Sequence, residues 1–217
     1  MFSSTAGVYG MPQNVPITEE EPTAPINPYG QTKRDFEGAL EYARRAYGIS
    51  YASLRYFNAA GAHPDGTIGE DHNPESHLIP RILRNAVDGR EVEVYGTDYP
   101  TPDGTCVRDY IHVCDLSDAH VLALEELGSA KGEGRVFNLG NGEGFSVRQI
   151  VDRAARVSGL KVRVKETGRR AGDAPVLVAS SETAKRELGW RPKYADINTI
   201  IATAWKWHSA HRNGYGD

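Results

Sequence analysis

The chain is poor in cysteine. Among 217 residues there are two, Cys106 and Cys114. Two such residues build no disulfide framework, and they lack the paired spacing of a thiolate metal site, so a reducing cytoplasm is the expected setting. An excess of basic charge is also missing: 25 Lys and Arg stand against 29 Asp and Glu, for a net charge of -4. Nucleic acid is therefore not an expected partner. No apolar run approaches the roughly 18 residues that a membrane-spanning helix requires, so no membrane partner is expected either. The residues after Met1, FSSTAGVYG, have neither a basic start nor a long apolar stretch, and no signal peptide is expected there. The seven histidines show no His-x-x-x-His spacing. No metal is expected, and His112 and His120 read as structural. Repeats and low-complexity tracts are absent as well.

What is present suffices for a folded domain. Hydrophobic residues make up 39% of the chain, enough to bury a core, and the length suits one large domain or one and a half small ones. MFSST has the pattern of a strand end. The stretch 10–26, rich in Pro and Glu, reads as a loop. A helix follows, with Asn27 as its N-cap, Pro28 at the first helical position and Gly48 just past its end. Phe36, Leu40, Ala43 and Tyr47 give that helix an apolar stripe, and Tyr29 and Lys33 fall on the same stripe one turn apart. ISYASLRYFN (49–58) is a strand by its β-branched and aromatic content.

Strand, helix, strand is the rhythm of a parallel sheet. The long Gly-, Pro- and Asp-rich stretch 59–76 is expected to be a functional lid or binding loop. Later segments read in turn as helix (LIPRILRNAVDG), strands (VEVYG and VRDYIHV), helix (DLSDAHVLALEEL), strand and turn (VFNLGNGEG), helix, strand (KVRVKET), short helix (SETAKREL) and a final helix from Asp196 to about His211. The helix SVRQIVDRAARVSG opens with a capping box, Ser146 to Gln149. GNGEG (140–144) is glycine-rich, but it lies late and lacks the spacing of a dinucleotide turn.

NPYGQTK (27–33) sets the chemical question. Tyr-x-x-x-Lys alone is a weak signal in a chain with 11 tyrosines, and a solvated helix face is the commoner reading. The surroundings strengthen it. Ser3, Ser4 and Thr5 put hydroxyls where a strand ends, and RYFN (55–58) ends the next strand at the same edge. Ligands of open parallel sheets bind at that edge. Taken with YFNAAGAHPDGTIGE, VYGTDYPTPDGTCVRDYIHVCDL, FNLGNGEG and GDAPVLVASSETAKRELGW, these stretches make the chain resemble the extended short-chain dehydrogenases/reductases. Within that group it looks most like the UDP-glucose (UDP-galactose) 4-epimerases. The resemblance runs from residue 2 to about residue 190. DYPTPDGTCVRDYIHV is its narrowest motif.

The resemblance implies an α/β fold: a partial Rossmann-like, doubly wound parallel sheet with its N-terminal strands missing, plus a smaller α/β region for substrate. Residues 1–58 would be the remnant of the NAD-binding domain. Residues 59–217 would mainly bind UDP-sugar, with the chain returning to the first part. It implies NAD as cofactor, UDP-glucose and UDP-galactose interconversion through a 4-keto sugar, a place in galactose metabolism, and a homodimer when full length.

Tyr29 would be the base and acid. A tyrosine with its ordinary pKa of roughly 10 is a poor base at neutral pH, and a nearby ammonium favours the phenolate. Lys33 would supply that ammonium and hold the nicotinamide ribose. Thr5 would hydrogen-bond the reacting oxygen and relay its proton, and Phe57 matches a cofactor-side position. Arg108 and Arg170 suit a pyrophosphate, against surface ion pairs as the plainer reading. Tyr95 could stack on uracil rather than fill a core, and Asp173 could accept from ribose hydroxyls rather than cap a turn. Asn58, His77 and Leu78 match nucleotide-contacting positions, although His77 stands where many members have Asn. Leu177 matches a position whose bulk gates the sugar pocket. The leucine implies the UDP-hexose pair as substrates, with activity on N-acetylated hexosamines left open.

A Gly-rich phosphate turn would precede all of this in a complete dinucleotide-binding fold, and roughly the first 110 to 120 residues of such a fold are not found here. The chain as printed is therefore expected to carry no NAD, to be inactive, and to show an unpaired sheet edge and an uncovered apolar face that favour association. Two further readings stay open. One is a sugar-nucleotide dehydratase or decarboxylase of the same superfamily, disfavoured because Thr5 is followed by Ala6 and Gly7, which transfer no proton. The other is an inactive fragment that only binds nucleotide or a partner.

Overall fold

A computed structural model describes residues 1–129 and 131–216. The chain opens with strand β1 (Phe2–Thr5) and a 3-10 turn (Ala6–Tyr9), then crosses a loop to helix α1 (Pro28–Tyr47). Strands β2 (Tyr51–Tyr56) and β3 (Asn58–Ala60) follow, then helix α2 (Leu78–Val87), strands β4 (Glu91–Tyr95) and β5 (Val107–His112), and helix α3 (Val113–Ser129). Strands β6 (Gly134–Leu139) and β7 (Gly144–Ser146), helix α4 (Val147–Ser158), strands β8 (Arg163–Thr167) and β9 (Val176–Leu177), and helices α5 (Glu182–Glu187) and α6 (Ile197–Ala210) complete the order.

The expected strand 49–58 is two strands. β2 lies in a parallel sheet of order β1-β2-β6. Phe57 breaks the run, and β3 passes into a second sheet, where it pairs parallel with β5. β5 also pairs antiparallel with β7 and parallel with β9, and β4 and β8 form a separate parallel pair. Phe57 is buried at this crossover, so the two sheets meet beside it.

Helix boundaries follow local chemistry. Asn27 Oδ1 accepts from the Gly30 N–H at 2.8 Å, Pro28 sits in the first turn, and Gly48 closes the helix in the left-handed region. Ser146 and Gln149 form the expected capping box of α4. The face that α1 turns to the sheet differs from the expected one. Phe36 and Tyr47 are 51% and 82% exposed, and Leu40 and Ala43 are half-buried. The neighbouring stripe, through Gly30, Arg34, Glu37, Glu41 and Arg44, faces inward instead.

Its centre is an ion pair. Arg55 on β2 donates through Nη2 to Glu37 Oε2 at 2.7 Å and through Nε to Oε1 at 3.0 Å, with both side chains 7% exposed. Ser4 donates to Glu37, Arg55 donates to the Tyr9 hydroxyl, and Tyr9 donates to Asn138. A helix that buries a bidentate pair with all its polar atoms bonded can leave its apolar stripe outside. Periodicity alone chose the wrong face.

Among the described residues the apolar core lies in three groups. One, between α2, α4 and α6, centres on Ile82, Leu83, Ile150 and Ile200. A second packs α3 and α5 on the parallel sheet around Leu54, Phe137 and Trp190. A small third holds Val8, Tyr9 and Ile17 against Phe57.

Candidate active site

Gly30 positions the N-terminus of α1. A Cβ at this residue would lie 2.4 Å from the Gly7 carbonyl oxygen, so only glycine lets the helix press on the 3-10 turn after β1. This contact brings Tyr29 beside Thr5. Both line a cavity of about 650 Å³ at the ends of β1 and β2, together with Ser4, Tyr56, Phe57 and Asn58. Residues of the 61–77 loop form its other wall. Tyr29 is 59% exposed, at the mouth.

Lys33 stands one turn behind. Its ammonium donates to the Ser3 carbonyl at 2.9 Å and lies 5.6 Å from the centroid of the Tyr29 ring. The Thr5 hydroxyl accepts from the Gly7 N–H at 3.1 Å, which fixes its lone pair and leaves its proton free to be donated. Tyr56, deeper in the same cavity, donates to Ser3 Oγ at 2.8 Å and contacts His120 Nε2. Burial raises its pKa above the usual tyrosine value. Tyr56 is thus harder to ionise than a tyrosine in water.

A second cavity, of about 340 Å³, adjoins the first through the shared residues Asn58 and His77. It gathers the residues expected to hold a nucleotide: Leu78, Tyr95, Arg108, Arg170 and Asp173. The Arg170 guanidinium lies 4.4 Å from the Tyr95 ring centroid. Arg108 is within 3.6 Å of Asp173, so the surface-pair reading is partly realised inside a cavity. Asn58 donates to the Asp109 carbonyl at 2.8 Å, which turns its amide oxygen free of that bond. Leu177 does not line either cavity. It lies in β9 beside Arg108 of β5 and packs, half-buried, against the group that contains Phe57.

The two histidines taken as structural have structural surroundings. His112 is buried, bonds to Thr203 through Nε2 and stacks on Tyr194. His120 bonds to the Leu116 carbonyl through Nδ1. GNGEG also has a role that its composition did not reveal. The N–H groups of Asn141 and Gly142, with that of Ala179, donate to the buried carboxylate of Asp109 at 2.8 to 3.0 Å. Burial pushes Asp109 up to about 6, and the three donors work against that rise. A Cβ at Gly140 would fall 2.5 Å from Asp109 Oδ2, so the glycine serves this internal carboxylate. Ser4, expected as one of the strand-end hydroxyls, lines the first cavity, and so do Tyr56 and the loop residues Glu70 and His72, to which the sequence reading gave no individual role.

A hydroxyl-lined cavity at the ends of parallel strands, with a Tyr at its mouth and a Lys one helical turn behind it, is a short-chain dehydrogenase/reductase type of site. The family model described as the NAD dependent epimerase/dehydratase family matches residues 1–140. The chain belongs to that family. It is 52% identical over its whole length to UDP-glucose 4-epimerase of Streptococcus mutans, and 51% identical over 99% of its length to that of Halalkalibacterium halodurans. The chain spans 65% and 64% of those two relatives. Among solved structures, UDP-glucose 4-epimerase of Bifidobacterium longum in complex with NAD+ and UDP superposes with a TM-score of 0.94 at 40% identity, over 99% of this chain and 64% of that one. The Brucella ovis enzyme in complex with NAD superposes with a TM-score of 0.88 at 51% identity, over 94% of this chain and 63% of that one.

Proposed function

We propose that this chain carries the catalytic tyrosine and the nucleotide-sugar site of an NAD-dependent UDP-glucose 4-epimerase. One observation carries the reading. The cavity holding Tyr29 and Thr5 runs into the cavity holding Tyr95, Arg108, Arg170 and Asp173, with Asn58 and His77 at the junction. A sugar joined to a nucleoside diphosphate has that same bipartite form.

In this reading the second cavity grips UDP. Arg108 and Arg170 face the pyrophosphate, Tyr95 the uracil and Asp173 the ribose. The sugar reaches into the first cavity, where the proton of its 4-hydroxyl passes to Tyr29 Oη, with Thr5 donating to the same oxygen. Lys33 keeps its ammonium beside the Tyr29 ring. Tyr29, Lys33 and the Phe57 region fit the ribose and nicotinamide end of NAD: an ammonium and a phenol one turn apart offer donors to ribose hydroxyls. NAD, when bound, supplies a reversible hydride acceptor for the sugar carbon. The lack of a second proton-transferring side chain at Ala6 and Gly7 favours epimerisation over dehydration. Residues 1–58 as NAD-side and 59–217 as mainly substrate-side, a homodimeric assembly and a cytoplasmic setting belong to the same proposal. The exposed Phe36, Tyr42 and Tyr47 on α1 and the unpaired cysteines support the last two.

Calorimetric titration with UDP tests the nucleotide half. Saturable one-to-one binding is expected, weakened about tenfold or more by Arg170→Ala, since a hydrogen bond to a charged group contributes about 1.5 to 3 kcal/mol. Arg170 is exposed, so its removal leaves the fold intact. No UDP binding, or binding indifferent to Arg170, rejects the assignment.

A further inference from the structure

Four side chains on the 61–77 loop converge in a way that the reaction does not require. Glu70, His72, Glu75 and His77 each offer a ligand atom, and those atoms all lie within 4.8 Å of one another. Glu70 Oε1 is 2.9 Å from His72 Nδ1 and 2.5 Å from His77 Nδ1. Glu75 Oε1 is 3.2 Å from His77 Nδ1 and 3.9 Å from His72 Nδ1. The two imidazole rings are 5.0 Å apart, centre to centre.

Glu75 adds an independent sign. Its side chain is 7% exposed, and its carboxyl is turned into the cluster. Its second oxygen, Oε2, is buried with no hydrogen-bond partner. A buried carboxylate oxygen without a partner is costly and calls for an explanation, an unplaced ion among them.

We propose that these four residues form a divalent transition-metal site, with Zn2+ as the fitting ion. A tetrahedral zinc with bonds of about 2.0 to 2.1 Å holds its ligand atoms roughly 3.3 Å apart. The four Glu–His separations, 2.5 to 3.9 Å, straddle that value, and all the ligand atoms lie within 4.8 Å of one another. Two imidazoles and two carboxylates suit zinc, while calcium and magnesium favour all-oxygen sets. The Glu-x-His-x-x-Glu-x-His spacing escapes a search for His-x-x-x-His, which is why no metal was expected from the sequence. The site lies in the wall of the first cavity, and His77 also borders the second. Glu70 is further anchored to α6, because Trp207 Nε1 donates to its carbonyl at 3.1 Å. A bound ion would therefore pin the loop between the two cavities to the body of the protein. This inference does not depend on the catalytic reading.

The test is titration of the metal-stripped protein with Zn2+ alone, followed by Co2+ as a spectroscopic probe. One ion per chain is expected, with the intense visible bands of four-coordinate cobalt and a raised melting temperature. His72→Ala and Glu70→Gln each remove a ligand and should weaken Zn2+ binding by about a hundredfold or more, since even the partners behind metal ligands commonly contribute 10- to 100-fold. His63→Ala is the control: His63 is on the same loop but pairs with Asp65 outside the cluster. His72 is exposed, so its truncation leaves the fold intact, which circular dichroism verifies. Absence of stoichiometric binding, or equal affinity in the His72, Glu70 and His63 variants, overturns the proposal.

Discussion

Single residues carried most of what could be read in advance about the site. Tyr29, Thr5, Phe57 and Asn58 line one cavity, and Tyr95, Arg108, Arg170 and Asp173 another. Most of them sit at or beside a strand end or helix start that the local sequence dictates, while Arg170 and Asp173 lie on the connection between β8 and β9. Leu177 was legible only as a family position, and it packs against the apolar group that includes Phe57 without lining either cavity. If it gates the sugar, it acts through the side chains packed against it. The expectation is that Leu177→Tyr lowers activity on N-acetylated UDP-hexosamines relative to the UDP-hexose pair. An unchanged ratio of the two activities would rule out gating.

His208 is a residue whose importance no pattern announced. It is buried, its Nδ1 has no hydrogen-bond partner, and burial, with the nearby charge of Arg84, holds its pKa down at about 4. The unfolded chain binds this proton near pH 6.5, so it takes up more protons than the native state between about 6.5 and 4. Stability should fall as pH drops through that window and level off below it. His208→Gln should flatten that part of a melting-temperature profile measured in EDTA. A profile of undiminished slope would place the acid sensitivity elsewhere.

At the scale of elements, helices were easier to foresee than faces. Caps at Asn27, Ser146 and Gly48 are short-range chemistry, and they lie where the sequence puts them. The orientation of α1 depends instead on Arg55, a residue on the next strand, and no periodicity within the helix could reveal it. Strand 49–58 was read as continuous because its composition is continuous. Its break at Phe57 comes from two sheets claiming its two ends. The ion pair under α1 yields a clear expectation. Glu37→Gln leaves Arg55 buried without its counter-charge and should cost about 3 to 5 kcal/mol, read as a lower denaturation midpoint. Replacing both partners with apolar residues of similar volume should cost less. If the single and double variants were equally unstable, burial of an orphaned charge would not be the cause.

For the whole molecule, the order of helices and strands was largely legible, but the sharing of strands between sheets was not. β6 comes late in the chain, yet it completes the sheet begun by β1 and β2, through pairings that only three-dimensional closure selects. The same closure sets the two cavities side by side, and the proposed reaction depends on that adjacency. The most direct test joins this chain to the part of the Streptococcus mutans relative that it does not span and follows conversion of UDP-galactose to UDP-glucose with NAD. The joined protein should interconvert the two sugars, and Tyr29→Phe should lower its turnover about 100-fold or more while UDP affinity stays near its original value. Near-normal turnover in the Tyr29→Phe protein would contradict the account.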